Sequence, residues 1–411
     1  MYKSLLIIAC EYPYITAEPF LESEILYLKQ RFENIYIFPI NASPNDVPTR
    51  TVPENVKVYP VGCVWSKLRY PIYALKGFFA YNKKLTTKGI SLKQKLSAWY
   101  ARGRSDRVHD FIMNTIRREK LDVSNVCIYS YWFTDQAIAA WRLKETLQSS
   151  GCKVKAVARG HGYDVYASAN AMNYLPYQQQ NLQWLDGFYP CSDNGGNYIA
   201  EKYPLYREKI HTARLGTMDR GLNRFSGEEK VFLTCSSLKP IKRVSLFAKA
   251  FAIVCKRVPN CRWVCIGDGV MENDIREIIQ KEGIENRVQL IGRLTNQQVL
   301  KYYSTHGITY FCNVSSTEGV PVSIMEAMSF GIPIIATDVG GSGEIVSDRV
   351  GRLLPAELTP ESLADYLYEE MTMSNEDYLQ ERRNARLVWE EKSSADKVYK
   401  QWCDILAQEA T

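Results

Sequence analysis

Short runs of apolar, mostly β-branched residues recur along the whole chain and alternate with longer segments of helical periodicity. In the first half these runs are residues 5–10, 35–40, 126–133, 154–158 and 187–191. In the second half they are residues 231–235, 263–266, 288–291, 308–312 and 333–336. Buried strands that alternate with helices are typical of βαβ units, so the pattern predicts parallel sheets covered on both faces.

Helix signals are clearest in the second half. Residues 244–258 form an amphipathic repeat that stops at Pro259, and residues 274–279 and 297–303 continue the helical periodicity. Residues 321–329 begin with proline and are followed by Gly331, which is the expected asymmetry between the two ends of a helix.

A domain boundary is predicted within residues 215–227, where Gly216, Gly221 and Gly227 lie among polar residues between two predicted strands. We therefore expect an α/β protein of two Rossmann-like, doubly wound domains, residues 1–215 and 216–411. A last helix over residues 390–408 is expected to pack back on the first domain. Such sheets bind ligands at the carboxyl ends of their strands, so a cleft between the domains is the expected site.

Composition adds the cellular setting. The 411 residues are 46% hydrophobic and 23% charged, the balance of an ordinary globular protein. The 11 cysteines are an odd number without a C-x-x-C pair, which favours a reduced, cytoplasmic protein over a disulfide framework or zinc ribbon. No apolar stretch approaches the ~20 residues that a membrane-spanning helix needs.

The most informative motif is S-S-T-E-G-V-P-V-S-I-M-E-A-M, from Ser315 to Met328. It follows the apolar run 308–312 and enters a predicted helix at Pro321. The small loop residues and the first N–H groups of that helix form a natural diphosphate site. Glu318 and Glu326 could accept hydrogen bonds from sugar hydroxyls, although on spacing alone solvent-exposed acids are the commoner explanation.

Two further motifs follow predicted strands. In S-S-L-K-P-I-K-R-V, after residues 231–235, Lys242 could neutralise a leaving diphosphate without proton transfer, or belong to a solvated basic turn. In A-R-G-H-G-Y-D-V, after residues 154–158, His161 lies between two glycines at the carboxyl end of a strand. That position favours a ligand-facing side chain over a structural one.

Together these motifs resemble glycosyltransferase family 4, the retaining nucleotide-sugar enzymes of the GT-B fold, also called group 1 glycosyltransferases. Glu318 and Glu326 reproduce the E-x7-E signature of that family, and the run G-I-P-I-I-A-T-D-V-G-G from Gly331, with Glu344, matches the pattern that follows it. The resemblance covers the second half and parts of the first. Pro-Tyr and Glu-Pro-Phe within residues 13–20 are similar to a branch that assembles polysaccharides and lipid-linked glycans.

The resemblance implies roles for individual residues. Glu326 would hold the ribose hydroxyls of the donor nucleotide, Glu318 would lie beside the donor sugar, and Lys242 would bind its phosphates. His161 would contact the donor sugar near the reacting carbon, so the implied catalytic residues are His161, Glu318 and Lys242. Ser237 stands where the family usually has arginine, and Arg243 where it has glycine. The other implied donor-binding residues are Ser237, Arg243, Arg293, Leu294, Gly319, Val320, Pro321 and Val322.

The acceptor side is less well defined. Glu18 and Asp164 are the candidates there, and Thr16-Ala17 replaces the glycine pair that many family members carry in the first loop. Gly267-Asp268-Gly269 is a strand-to-helix turn, and a lone G-x-G says little about phosphate.

The implied reaction is retaining transfer of a hexose-type sugar from a nucleotide sugar, UDP by default with GDP open, to a glycan or lipid-linked acceptor in cell-surface polysaccharide synthesis. No D-x-D motif is present, so neither a metal nor a cofactor is expected, and no nucleic acid partner. The alternatives are a nucleotide-sugar epimerase, a glycan phosphorylase and a non-catalytic nucleotide- or nucleic-acid-binding protein on the same fold.

One segment differs in composition. Residues 65–120 contain fourteen Lys or Arg against three acids, with aromatic residues interleaved. This pattern predicts peripheral contact with an anionic membrane on the inner face of the cell, because each basic residue near such a surface contributes about 1 kcal/mol. The alternative is a solvated face whose aromatic residues belong to a core.

Overall fold

The structure is a computed structural model that describes residues 1–15, 18–63, 70–79, 89–224 and 229–408. Thr16, Ala17 and Gly227 lie outside the described residues, as do residues 65–69 and 80–88 of the basic segment. The chain divides into two compact units. One comprises Met1–Arg214 with Val398–Thr411, and the other Leu215–Lys397.

The first unit is built on a six-stranded parallel sheet. Its strands are β1 (Ser4–Ala9), β2 (Asn34–Pro39), β3 (Val56–Val58), β4 (Asn125–Ser130), β5 (Lys153–Gly160) and β6 (Gly187–Pro190). Its helices are α1 (Pro19–Arg31), α2 (Tyr70–Phe79), α3 (Leu92–Glu119), α4 (Asp135–Ser149), α5 (Gln178–Trp184) and α6 (Asp193–Lys202). All six residues of β1 are buried, because helices cover both faces of the sheet.

The second unit repeats this plan with a second six-stranded parallel sheet. Its strands are β7 (Lys230–Cys235), β8 (Cys261–Ile266), β9 (Val288–Gly292), β10 (Tyr310–Asn313), β11 (Ile334–Thr337) and β12 (Gly351–Leu354). Its helices are α7 (Val244–Arg257), α8 (Glu272–Glu282), α9 (Asn296–Thr305), α10 (Val322–Ser329), α11 (Pro360–Thr372) and α12 (Asn375–Lys392). Helix α13 (Ala395–Ala407) leads the chain back into the first unit.

The strand orders explain where a site can form. They are β3-β2-β1-β4-β5-β6 and β12-β11-β10-β7-β8-β9, so each sheet has the same winding on either side of its first strand. The direction of winding reverses between β1 and β4, and between β7 and β10. Doubly wound sheets bind ligands at this switch point, beyond the carboxyl ends of the strands.

The predicted fold class is confirmed, since each predicted apolar run lies on a strand of two parallel sheets. The pattern missed β3 and β12, which have three and four residues at sheet edges. The predicted strand 126–133 was wrong at its end, because β4 stops at Ser130 and the chain then turns. The predicted helix start was also one residue early, because Pro321 is the N-cap of α10.

Among the described residues, no helix combines the length and apolar character needed to cross a bilayer.

Candidate functional site

Lys242 and Glu318 meet at the switch point of the second sheet. Lys242 ends the turn that follows β7, and Glu318 lies in the loop that follows β10. The Nζ of Lys242 donates to the Oε1 of Glu318 at 2.6 Å, with 21% and 10% of the two side chains exposed. The amide of Asn313 donates to the same oxygen at 3.1 Å. The structure therefore places the lysine and the first glutamate of the E-x7-E motif together.

The start of α10 lies directly after this pair. Its N-cap is Pro321, and no side chain caps the helix. The first intrahelical hydrogen bond is made by the N–H of Ile324, which donates to the carbonyl of Pro321 at 3.1 Å. An uncapped helix start carries partial positive charge and N–H donors that suit an anion. Gly319 and Val320 lead into this start, and Val322 is its first residue.

Glu326 lies on α10 and is half-buried. The amide of Asn296, the first residue of α9, donates to its Oε1 at 2.6 Å. Burial raises the pKa of Glu326 to about 7, against the opposing effects of Asn296 and the charge of Arg220. Arg293, exposed, and Leu294 occupy the turn between β9 and α9, so this turn runs directly into the helix that holds Glu326.

Arg243 makes its hydrogen bonds to backbone carbonyl groups. It is the N-cap of α7 with a φ of 49°, a left-handed conformation that costs energy for a residue other than glycine. Its guanidinium donates to the carbonyl oxygens of Val314, Ser315 and Ala356, at 2.6, 3.0 and 2.8 Å. These contacts fasten the β7 turn to the β10 loop. The expectation that Arg243 replaces the charge missing at Ser237, which is exposed, stays a prediction.

Two glycine turns support these loops from behind. A Cβ on Gly340, with a φ of 56°, would lie 1.9 Å from the carbonyl oxygen of Glu318. A Cβ on Gly267 would lie 1.9 Å from the carbonyl oxygen of Ser236. Glycine is needed at both because another backbone segment passes against it. The G-x-G turn at Gly267 is therefore explained by loop packing.

His161 lies in the first unit, in the loop after β5. Its Nε2 is 3.0 Å from the carbonyl oxygen of Tyr131, which can only accept, so Nε2 carries the proton. Burial, followed by the charge of Arg159, lowers the pKa of His161 to about 3. The ring is therefore neutral near pH 7, and its Nδ1 is a hydrogen-bond acceptor. Its centroid is 4.8 and 4.7 Å from the rings of Tyr131 and Trp132.

Asp164 is fully buried and holds the His161 loop. Its Oδ1 accepts the N–H groups of His161 and Gly162 at 2.8 and 3.1 Å, and its Oδ2 accepts that of Phe133 at 2.8 Å. A carboxylate that accepts three backbone N–H groups fixes the loops it joins. Within the His-Gly-x-Asp motif, Asp164 therefore holds the backbone of His161 in place.

Glu18, the other acceptor-side candidate, is also buried, with a φ of 54°. Its Oε1 accepts the N–H of Cys10 and the indole N–H of Trp132, and its Oε2 accepts the N–H groups of Glu11 and Tyr12. These four bonds, all between 2.7 and 2.8 Å, fix the first loop and the ring beside His161. The acceptor-side roles of Glu18 and Asp164 stay predictions.

Arg159, just before the histidine loop, is fully buried and pairs with Glu24 at 2.6 Å. It also donates to the carbonyl oxygens of Ala213 and Arg214, both at 2.8 Å. Trp402 of α13 donates to the second oxygen of Glu24 at 2.8 Å. This buried ion pair ties β5 to the last residues of the first unit and to its returning helix.

Sequence reasoning missed the side chains that support the two candidate sites, one in each unit: Trp132, Arg159, Asn296 and Asn313. The strand-end positions of Trp132 and Asn313 were available as a signal, but their partners lie far away in sequence. Within the described part of the chain, no group of three or more His, Cys, Asp or Glu side chains could hold a metal ion. The expectation that no metal or cofactor is required stays a prediction.

Two doubly wound parallel sheets, each with polar loops at its switch point, define a Rossmann-like class of α/β protein. Residues 219–387 match the family model described as glycosyl transferases group 1. This match confirms the predicted resemblance to group 1 glycosyltransferases and places it in the second unit. Membership of family 4 and of its polysaccharide-assembly branch stays a prediction.

The relatives are distant. The chain is 27% identical over 221 residues to a UDP-N-acetylglucosamine–peptide N-acetylglucosaminyltransferase GtfA subunit of Streptococcus agalactiae, with 51% of the chain and 42% of that protein covered. It is 25% identical to a putative colanic acid biosynthesis glycosyltransferase, WcaL, of Escherichia coli, over 66% of the chain and 68% of that protein. The match spans less than half the length of GtfA.

Solved structures share the GT-B fold of the whole chain. TarM of S. aureus, crystallised with fondaparinux, α-GlcNAc-glycerol and UDP, superposes with a TM-score of 0.66 at 12% identity, over 99% of the chain and 100% of TarM. HepE of Anabaena in complex with UDP gives a TM-score of 0.67 at 14% identity, over 98% and 99%. At these identities the likeness shows the fold.

Proposed function

We propose that the chain is a retaining glycosyltransferase that transfers a sugar from a UDP-sugar to a glycan or lipid-linked saccharide in cell-surface polysaccharide synthesis, in the cytoplasm. The observation that carries the proposal is the Lys242–Glu318 pair, 2.6 Å apart at the switch point and followed directly by the uncapped start of α10. A cation, a carboxylate and free N–H donors there match a diphosphate joined to a sugar.

UDP and the polysaccharide setting are supported by relatives. The TarM and HepE crystals contain UDP, and WcaL is named for colanic acid biosynthesis. Glu326 beside Asn296 supports a ribose subsite, because a carboxylate accepts hydrogen bonds from a pair of hydroxyls.

The proposed chemistry is electrostatic. Lys242 and the N–H groups at the start of α10 stabilise the diphosphate as its bond to the anomeric carbon breaks. Glu318 accepts hydroxyls of the donor sugar, and the Nδ1 of neutral His161 accepts another. The acceptor hydroxyl attacks from the face that the diphosphate leaves, and its proton passes to a phosphate oxygen. No step requires a metal ion or a cofactor.

The test is thermal stabilisation by UDP-, GDP- and ADP-sugars, followed by detection of released nucleoside diphosphate with a panel of saccharide acceptors. We expect selective stabilisation by a UDP-sugar that is lost in Glu326→Ala and retained in Glu277→Ala, an acidic residue on α8. NMR of the product should show the anomeric configuration of the donor. A folded protein that no donor stabilises would refute transfer, and an inverted product would refute the retaining mechanism.

A further inference from the structure

Helix α2 exposes an apolar face. Ile72, Leu75, Phe78 and Phe79 are 54, 59, 48 and 76% exposed. Ile72, Leu75 and Phe79 follow the spacing i, i+3, i+7, so they share one side of the helix. Soluble proteins commonly expose single apolar residues on their surfaces. A contiguous row of large apolar side chains on one helix instead marks an interaction site.

The opposite side of α2 already has its partner. Tyr73, Ala74 and Gly77 are buried against α3. A Cβ on Gly77 would lie 1.8 Å from the carbonyl oxygen of Trp99, and one on Gly103 would lie 2.0 Å from that of Tyr73. The two helix backbones therefore touch where they cross, and the exposed face of α2 is the side turned away from its own core.

The start of α3 continues the apolar surface. The ring of Trp99 lies 4.9 Å from that of Phe78, centroid to centroid. Leu92 and Leu96, within the two turns before Trp99, are 68 and 37% exposed. We call the exposed side chains of α2 together with Leu92 and Leu96 the α2 surface.

The charge around the α2 surface has one sign. Lys76 and Lys93 are exposed beside its apolar residues. In the sequence, no Asp or Glu occurs between Glu54 and Asp106. Net positive charge around an apolar helix face is complementary to an anionic lipid surface.

Two arginines of the basic segment face the core instead of the solvent. Arg102 and Arg104 are buried and pair with Asp106 and Asp135, at 3.1 and 2.9 Å. Beyond them α3 packs into the core of the first unit through residues such as Ile112. Among the described residues of this segment, the exposed large apolar side chains lie on α2 and the first turns of α3, whereas Arg107, Arg117 and Arg118 are exposed farther along α3. The surface that combines apolar and basic side chains is therefore smaller than the composition of residues 65–120 indicates.

We propose that the α2 surface docks on an anionic lipid bilayer. Ile72, Leu75, Phe78 and Phe79 would insert among the acyl chains, and Lys76 and Lys93 would lie at the headgroups. An apolar face with aromatic residues and flanking lysines is the pattern of a helix that lies in the membrane interface. The proposal is independent of the sugar chemistry, because no residue of the candidate sites described above takes part.

The test is co-sedimentation of the full chain with vesicles of phosphatidylcholine, with and without phosphatidylglycerol. We expect binding to the anionic vesicles, weakened by salt and by about tenfold or more in Leu75→Glu and Phe79→Glu. The matched controls are Leu205→Glu and Val270→Glu, at residues 84 and 79% exposed outside this surface, and they should bind as the unchanged protein does. All four sites are exposed, so circular dichroism should show an unchanged fold.

Three results would overturn the proposal. The first is no binding to anionic vesicles, and the second is an equal loss in the control variants. The third is a lipid-free dimer by light scattering that Phe79→Glu converts to a monomer, because the α2 surface would then bind a second copy of the chain.

Discussion

The candidate sites of the two units differ in how many hydrogen bonds their charged groups already make. In the first unit, Glu18 and Asp164 are buried and their carboxylates accept seven short hydrogen bonds, six of them from backbone N–H groups. In the second unit, Lys242, Glu318 and Glu326 are partly exposed, and α10 begins without a cap. In the first unit, hydrogen bonds within the protein satisfy the buried acids around the neutral His161. In the second unit, partly exposed charges and N–H donors are accessible to a ligand.

This difference separates two meanings of an acidic residue in a motif. Asp164 and Glu326 both match family positions, yet Asp164 is fully buried and accepts three backbone N–H groups, whereas Glu326 is half-buried and accepts the amide of Asn296. Substitutions of the buried acids Glu18 and Asp164 should mainly change stability, whereas substitutions of Lys242 and Glu326 should mainly change binding and rate.

Replacement of Lys242 by alanine should have the largest effect. Loss of one preorganised cation at the leaving diphosphate should slow transfer about 10²–10³-fold, or about 3–4 kcal/mol in the activation barrier. The free energy of unfolding should change by less than about 1 kcal/mol because the pair is partly exposed. Steady-state transfer kinetics and urea unfolding measure the two quantities. Lys239→Ala, at an exposed lysine three residues away, is the matched control and should change neither.

Asp164→Ala should give the opposite result. Three buried N–H groups would lose their acceptor, so the free energy of unfolding should fall by about 3 kcal/mol. Urea unfolding followed by circular dichroism measures the fall, and Asp110→Ala, at an exposed aspartate, should change it by less than about 0.5 kcal/mol. UDP affinity of the folded variant should be unchanged. A variant that lost UDP binding at full stability would contradict the assignment of a structural role to Asp164.

The affinity for UDP should depend on pH through Glu326. With a pKa of about 7, this group must lose its proton before it can accept both ribose hydroxyls. Affinity should therefore fall by up to about tenfold per unit as the pH drops below 7, and level off above it. Isothermal titration calorimetry between pH 5.5 and 8.5 measures this dependence, because Glu326 changes from mostly protonated to mostly ionised over that range. Glu326→Gln should bind more weakly at high pH and show a flat profile.

The smallest effect is a gain in stability in the same variant. The folded-state pKa of Glu326, about 7, lies above its ordinary value of 4.5, so the folded protein holds this proton more tightly than the unfolded chain. The resulting stabilisation is complete below pH 4.5 and is lost as the pH rises through 7. Glutamine remains neutral, so Glu326→Gln without ligand should be more stable by about 1 kcal/mol at pH 8, after allowance for solvent screening of a half-buried group. Urea midpoints at pH 5 and pH 8 should show the gain only at pH 8.

The parallel sheets were predictable because their strands are buried on both faces and read as continuous apolar runs, as in residues 5–10 and 231–235. The edge strands Val56–Val58 and Gly351–Leu354 were not, because short strands with few neighbours carry little apolar signal. The positions of Lys242 and Glu318 followed from motifs tied to strand ends.

The remaining features of the site depend on contacts between distant residues. Arg243 looks like a phosphate ligand in the sequence, but its partners are carbonyl oxygens some seventy residues or more away. Glu18 looks like a free acid in the sequence, but its carboxylate accepts hydrogen bonds from the indole of Trp132 and from three backbone N–H groups. Hydrogen bonds to backbone atoms leave no trace in residue type, so periodicity and spacing cannot reveal them.

The return of the chain into the first unit has a consequence for biosynthesis. Glu24 and Arg159 are made early, but the indole that donates to Glu24 belongs to Trp402, nearly four hundred residues later. Domains usually fold in the order in which the ribosome releases them. Here the second unit, Leu215–Lys397, is complete within one continuous stretch, whereas the first must wait for Val398 and the residues after it. The unit that begins first is therefore the one that finishes folding last, and a ribosome that stalls before Trp402 leaves a buried carboxylate without one of its donors.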